Sequence, residues 1–365
     1  MEKRYHYIIV GGGSAGCLLA NRLSADARVL LLEAGGDGRG NLWLKIPAGY
    51  LFTMGNPRVD WCFVLRENPH LGGRSLNYPR GRVLGGSSAL NGMIYMRGQA
   101  RDYDRWAENG CDGWSWKEVL PFFVRHECNR TLGGAMHGRD GEVWVSNPRN
   151  RWRILDAFIE AAEVCGIPPT EDFNGGDNFG AGYFQVNQKN GIRQTAADAF
   201  LRPIADRPNL TVLTGAQGRR ILLENGRAAG VEYQTLHGVE TARAEGEVIL
   251  AAGGIGSPHI LQCSGVGDPR RLGEAGVRVS HPLPGVGENL QDHLQIRPSF
   301  RVRGTPTLNE MSHSRLRKFL MGAEYALFRR GPLSAAPSQV GCFARGEDGA
   351  EFPDLQYHVQ PLSLD

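Results

Sequence analysis

The run Gly81-Arg82-Val83-Leu84-Gly85-Gly86-Ser87-Ser88-Ala89-Leu90-Asn91 gathers small and polar groups in a form suited to a flat ring or a phosphate. Paired glycines let backbone approach a ring with no Cβ in the way. Ser87, Ser88 and Asn91 add short hydrogen-bonding groups. Alone, the run is also compatible with a glycine-rich surface turn. A second run carries more. Gly11, Gly13 and Gly16 stand in G-x-G-x-x-G spacing directly after the apolar stretch Tyr5 to Val10. Such glycines permit a tight turn and seat a pyrophosphate on the N-terminus of the helix that follows. Glu33 closes a second apolar stretch, at the distance where a carboxylate accepts hydrogen bonds from a ribose. Together these residues predict a dinucleotide site; the fingerprint itself does not separate FAD from NAD.

The elements that must position these residues follow from periodicity. Tyr5 to Val10 and Arg28 to Leu32 read as strands. Ser14 to Ser24 reads as the helix between them, with Ala15, Leu18, Leu19 and Leu23 inward. From Gly35 to about Tyr78 the chain is loop-like. Trp61 there stands either against the cofactor or as a core anchor. A helix starts near Ser115, and Arg153 to Cys165 is amphipathic. Gly182 to Asn187 alternates as a strand, and Thr195 to Leu201 is a short helix stopped by Pro203. Leu210 to Thr214, Gly230 to Gln234 and Glu247 to Ala251 are further strands. Ile255 to Cys263 is a helix with Pro258 in its first turn. Beyond Ile296 the pattern changes to strands at Ser299 to Val302, Val340 to Ala344 and Leu355 to Val359, with a helix from Arg315 to Arg329. The expected fold class is α/β (α+β overall): a Rossmann-like dinucleotide-binding domain and a mainly antiparallel-sheet substrate domain, the latter incomplete.

A net charge of +3 in 365 residues, with no basic run, gives no support to nucleic-acid binding. The seven cysteines are scattered without a C-x-x-C pair, which fits free thiols in a reducing compartment. No apolar stretch approaches the roughly 20 residues of a spanning helix. The chain enters its first strand within a few residues, so no signal peptide is expected. The expected location is cytoplasmic, with at most peripheral attachment to the inner membrane. Neither a Ser-His-Asp set nor a metal-ligand cluster stands out. His6, His70, His126, His137, His237 and His313 fall in loop or surface contexts and are given no role. His293 is expected to make structural hydrogen bonds, and His358 lies on a strand that can face the cofactor cavity.

These segments resemble the glucose–methanol–choline (GMC) oxidoreductase family over essentially the whole chain. The first family signature matches from Gly81 through Asn91 to Gly98 and Asp104. The second covers Gly253 to Gly267, departing at Gly254, where a small residue such as Ala is usual. Leu32 to Gly36, Asp60-Trp61 and Gly285 to His293 add to the likeness. The nearest branch looks like choline dehydrogenase and bacterial long-chain alcohol dehydrogenases. The resemblance implies FAD as cofactor. It implies contacts from Gly11, Gly13, Ser14, Ala15 and Gly16, and from Glu33, Ala34 and Trp61. It adds Arg82, Val83, Gly86, Ser87, Asn91, Gly92, Met93 and Ile94, and later Gly218, Ala252 and Gly253. Gly218 replaces the usual Val that packs near adenine, keeping its backbone groups. Leu90 occupies the position where some family oxidases carry a His that links FAD, so non-covalent FAD is expected.

The implied reaction is oxidation of an alcohol, choline or another primary alcohol, by hydride transfer to flavin N5. The implied acceptor is a quinone or respiratory chain rather than NAD. The family's catalytic His, with its His or Asn partner, is expected beyond Asp365, so no catalytic residue is assigned in this chain. The chain is accordingly expected to be a fragment or truncated relative that is poorly soluble and without measurable turnover; a non-catalytic FAD-binding protein is the alternative. Expected domains are 1–150 with 190–298 for FAD, and 151–189 with 299–365 for substrate.

Overall fold

The computed structural model describes residues 4–347 and 349–363; Leu364 and Asp365 of the chain end lie outside them. Contacts divide the chain into two compact units. One comprises Met1–Asn41, Phe52–Leu90 and Thr195–Ile296; the other comprises Leu42–Leu51, Asn91–Gln194 and Arg297–Asp365. Residues 91–150, expected with the cofactor domain, therefore fall in the second unit. The cause is backbone pairing: Tyr95 donates to the Gln185 carbonyl at 2.8 Å, and Ser146 bridges Val186.

The first unit is built on β1 (Arg4–Val10), α1 (Ser14–Leu23), β2 (Val29–Glu33), β3 (Leu210–Thr214), β4 (Gln217–Glu224), β5 (Arg227–Thr235), β6 (Gly238–Leu250) and α2 (Gly253–Cys263). The six strands form one sheet in the order β3–β2–β1–β6–β5–β4. The first four are parallel; β6, β5 and β4 are antiparallel. β2 reads as an unbroken apolar run because both its faces are covered, and all five of its residues are buried. Ile8, Val10, Leu30, Leu32, Val231 and Tyr233 pack into one core, each such side chain contributing about 1.5–3 kcal/mol by leaving water.

α1 turns a different face inward from the one its leucines suggest. Gly16, Cys17, Ala20 and Asn21 are its buried residues, while Ala15 is exposed. A Cβ on Gly16 would fall 1.9 Å from the Gly11 carbonyl oxygen, so the helix backbone sits directly on the turn. Pro203 does not stop a helix; it lies in a short 3₁₀ turn, Arg202–Ile204, that continues from Ala197–Leu201. α2 begins at Gly253, which places Pro258 one turn deeper than expected.

The second unit contains a three-stranded antiparallel sheet in which Val340–Ala344 lies between Gly180–Tyr183 and Leu355–Val359. Helix Arg153–Val164 buries Leu155 and Ala162 in cores that include Val340 and Cys342. Helix Trp116–His126 starts at a capping box of Ser115 and Glu118, which satisfies two otherwise orphaned backbone donors. Ser299 to Val302, expected as a strand, is coil with Phe300 exposed. Alternating residues make a strand only when another strand accepts the ladder. Among the described residues, no helix is long and apolar enough to cross a membrane.

Candidate functional site

In the first unit, the turn between β1 and α1 is held by backbone contacts that only glycine allows. Gly11 has φ +109°, and a Cβ there would meet the Ala251 oxygen at 2.5 Å. Gly86 has φ +55°, and its Cβ would strike Gly13 Cα at 2.7 Å, so the two glycine runs pack backbone to backbone. The Gly85 N–H also donates to the Gly12 carbonyl at 2.7 Å. A Cβ on Gly13 itself would meet nothing nearer than 3.9 Å, and Gly13 serves as N-cap of α1 without a side-chain cap. Ser14 and Ala15 are exposed and no acid stands in the first turn. The helix start therefore keeps free N–H groups and a positive dipole end.

Glu33 is 6% exposed at the end of β2. Its Oε2 accepts from the Gly12 N–H at 2.8 Å and its Oε1 from the Gly35 N–H at 2.7 Å. Burial pushes its carboxyl above the ordinary range, and those two bonds and the nearby Arg82 partly offset the rise. Each oxygen retains acceptor capacity for a further hydroxyl. Ala34 is half-buried beside it. Trp61 is half-buried, stacks on Phe63, and carries the Arg82 guanidinium over its ring at 5.0 Å. Arg82 Nε is buried without a hydrogen-bond partner among the described residues. Val83 is a core residue, 1% exposed. Ser87 is exposed, its Oγ accepting from the Gly81 N–H.

Gly218 lies in β4, where a Cβ would meet Val10 Cγ1 at 2.5 Å. The Val10 side chain thus occupies the space that a larger residue at 218 would need. Ala252 caps α2 and Gly253, at φ +80°, faces open space.

Asn91, Gly92, Met93 and Ile94 belong to the second unit. Asn91 Oδ1 accepts from the Met93 N–H at 3.1 Å and from Arg193 Nη1 at 3.0 Å. Met93 is 1% exposed in a left-handed conformation, φ 60°, and such strain in a non-glycine residue persists only where surroundings impose it. Gly92 and Ile94 are half-buried. Arg193, which lies in no motif, also donates to the Asn91 carbonyl at 2.7 Å. Burial lowers its guanidinium to about 10.

His137, expected on the surface without a role, is buried in a charged cluster. Its Nδ1 lies 3.0 Å from Glu127 Oε1 and its Nε2 2.9 Å from Asp172 Oδ2. Arg97 Nη2 donates to Glu127 Oε2 at 2.7 Å. Asn129 Nδ2 and the Gly138 N–H complete the shell of Glu127. Bonds to Asp172 and Glu127 raise the imidazole to about 9. Burial pushes Glu127 upward, but the bonds from His137, Asn129 and Gly138 and the Arg97 charge outweigh it and hold the carboxyl below its ordinary range. No pattern of spacing announces this cluster, because Arg97 and Asp172 join Glu127 and His137 from 30 and 35 residues away. His293 is exposed, its N–H donating to Asp292 Oδ1, and the His358 ring packs on Phe184 at 5.4 Å.

A parallel βαβ unit with a glycine turn, an uncapped helix start and a buried acid ending its second strand defines a dinucleotide-binding fold. Residues 5–295 match the sequence profile of the GMC oxidoreductase family. The chain belongs to that family, a family of oxidoreductase enzymes. It is 42% identical to an oxygen-dependent choline dehydrogenase of Photobacterium profundum, over 100% of this chain and 64% of that protein. A protein of the same name from Brucella anthropi is 40% identical, over 98% and 65%. Among solved structures, an FAD-dependent oxidoreductase from Chaetomium thermophilum superposes with TM-score 0.86 at 31% identity, covering 93% of this chain and 61% of that one. Pyridoxine 4-oxidase from Mesorbium loti gives TM-score 0.73 at 37% identity, over 76% and 55%. The mixed α/β fold expected from the sequence is thus the family's fold, and the chain spans about two thirds of the length of these curated relatives.

Proposed function

We propose that this chain binds FAD non-covalently and forms the cofactor-holding part of an alcohol oxidoreductase. The observation that carries this reading is the uncapped start of α1, packed against the second glycine run and faced by Glu33. When bound, FAD supplies a two-electron acceptor for a hydride from the carbinol carbon. The first-turn N–H groups from Gly13 to Ala15 and the helix dipole hold the pyrophosphate. Glu33 accepts from the ribose, and Arg82 offers a charged donor from its buried Nε. Gly11 and Gly16 fix the turn, while Ala34, Trp61, Val83, Gly86 and Ser87 form the nearby wall. Gly218, Ala252 and Gly253 serve the cofactor through their backbone. Leu90 has no nucleophilic atom to link the cofactor.

The general base is assigned to no residue of this chain, and lack of such help slows alcohol oxidation by about 10²–10⁴-fold. A second reading is an FAD-binding chain without turnover. The substrate is a small alcohol. The acceptor is a quinone or respiratory component, or dioxygen, for which the relatives are named. A cytoplasmic location, with at most peripheral contact with the inner membrane, completes the reading.

The test is reconstitution of the purified chain with FAD. Visible flavin absorption that co-elutes with protein, and moves to the supernatant on acid precipitation, is the expected result. Tight NAD binding without flavin colour overturns the cofactor assignment; colour kept in the pellet overturns non-covalent attachment. Dye reduction with a panel of primary alcohols separates the two readings.

A further inference from the structure

Helix Arg315–Phe328 of the second unit turns to solvent a face of the kind that helices ordinarily bury. Leu316, Phe319, Leu320, Ala323 and Leu327 recur at i, i+3, i+4, i+7 and i+11, the spacing of one apolar stripe. The four large side chains of that stripe are between 55% and 74% exposed. The opposite face is the one that packs. Met321 and Tyr325 are buried there, and the Tyr325 hydroxyl donates to the Gly191 carbonyl at 3.0 Å. The helix is thus fixed to its unit with the stripe outward. Charge surrounds the stripe. Residues 315–330 carry five exposed cations, Arg315, Arg317, Lys318, Arg329 and Arg330, against one acid, Glu324, which pairs with Arg330 at 3.1 Å. At the helical period, Arg315 and Arg317 stand on opposite flanks of the stripe.

We infer that this helix docks the chain on an anionic bilayer surface, lying in the plane of the interface. The inference rests on the peripheral membrane contact proposed above and assigns that contact to one face. With 14 residues the helix is about 21 Å long, too short to span a hydrocarbon core of about 30 Å. An apolar stripe flanked by Arg and Lys is the form that inserts shallowly, its apolar side chains at the acyl boundary and its cations among the headgroup phosphates. Single exposed apolar residues are ordinary, but an aligned row of four on a fixed helix marks an interaction surface. Charge decides the partner. A second copy of this chain would set five cations against five, and like charges facing one another across an interface oppose association. A surface of anionic headgroups attracts all of them.

The FAD-loaded chain is mixed with vesicles of phosphatidylcholine alone, or of phosphatidylcholine with phosphatidylglycerol, and bound protein is read by co-sedimentation. Half-binding is expected at a lipid concentration about tenfold or more lower when phosphatidylglycerol is present, a preference that high salt removes. The triple variant Leu316→Ser, Phe319→Ser, Leu327→Ser is expected to need about tenfold or more lipid. The double variant Arg317→Glu, Lys318→Glu keeps the stripe and is expected to lose the preference for phosphatidylglycerol. All five positions are exposed, so the variants should melt close to the unsubstituted chain. Vesicle binding by the triple variant equal to that of the unsubstituted chain overturns the inference and leaves peripheral contact through another surface standing. No vesicle binding by the unsubstituted chain overturns both. A concentration-dependent dimer that the triple variant abolishes also overturns the inference, because the stripe is then a face between copies. The pellet is assayed for protein and not for flavin, so a chain that takes up no FAD fails the cofactor reading and still tests this one.

Discussion

Glu33 and Glu127 are two buried carboxylates on strands, one in each unit, and their surroundings push them in opposite directions. Glu33 accepts hydrogen bonds from the backbone N–H groups of Gly12 and Gly35, with the Arg82 charge nearby, and burial leaves its carboxyl raised. Glu127 meets an arginine, a histidine, an asparagine amide and a backbone N–H, and is lowered despite burial. The difference is one of remaining capacity. A carboxylate saturated by its own chain ties loops together; one held by two backbone donors still has lone pairs for an outside hydroxyl.

Removing the Glu127 charge should give the largest effect. Glu127→Gln leaves Arg97 and His137 without their shared counter-ion, and breaking a buried pair this way costs about 3–5 kcal/mol. Denaturant unfolding checks it. Glu33→Ala should instead weaken FAD binding by about 1–3 kcal/mol, through loss of a charged acceptor and of partners for two backbone donors. Flavin fluorescence titration reads that loss. If Glu33→Ala unfolds the chain more severely than Glu127→Gln, the contrast between the two carboxylates is broken.

Acid and alkali should sharpen it. Because Glu127 and Asp172 are lowered in the fold, their contribution is present above the ordinary carboxylate range and is lost as pH falls through their folded values. His137 is raised to about 9, so its contribution is complete below the usual imidazole value of about 6.5 and is lost as pH rises through about 9. Glu33 has the opposite sign from Glu127: its raised value favours the fold at low pH and ceases to as pH rises through it. Melting temperature against pH should fall on the alkaline side in the native chain and flatten there in His137→Gln. A native alkaline limb unchanged by that substitution would show that the cluster is not charged as drawn. The smallest effect is expected at the exposed pair Arg28–Glu245. Arg28→Ala should shift stability by less than about 1 kcal/mol, since solvent screens the pair.

The dinucleotide half of the fold was legible because its rules are local. The apolar run, the three glycines and the acid that ends β2 are set by turn sterics within some thirty residues. The family signatures extended this to the second glycine run. What sequence could not supply depends on distant partners. Ser299 to Val302 alternates properly but finds no ladder, so it stays coil. His137 sits in a polar, glycine-rich stretch that reads as surface, and its partners Glu127 and Asp172 stand 10 and 35 residues away in the chain. Arg193 belongs to no motif, yet it fastens Asn91 from 102 positions away. The inward face of α1 was misread because leucines outweighed Gly16, whose missing side chain sets the distance to the turn.

The position of β1 within its sheet has a consequence for biosynthesis. One edge pairs with β2 almost as soon as it is made, through Tyr7 to Val10 against Val29 to Leu32. The other edge pairs with β6, where Val10 meets Leu250, roughly 240 residues further along. At ribosomal speeds of about 5–20 residues per second, that edge waits about 12–50 s for its partner. Throughout that interval Ile8, Ile9 and Val10 present an apolar strand with an unfilled row of backbone donors and acceptors, which is a template for pairing with the wrong chain. The yield of native protein should therefore depend on how crowded the nascent chains are as well as on the final stability of the sheet.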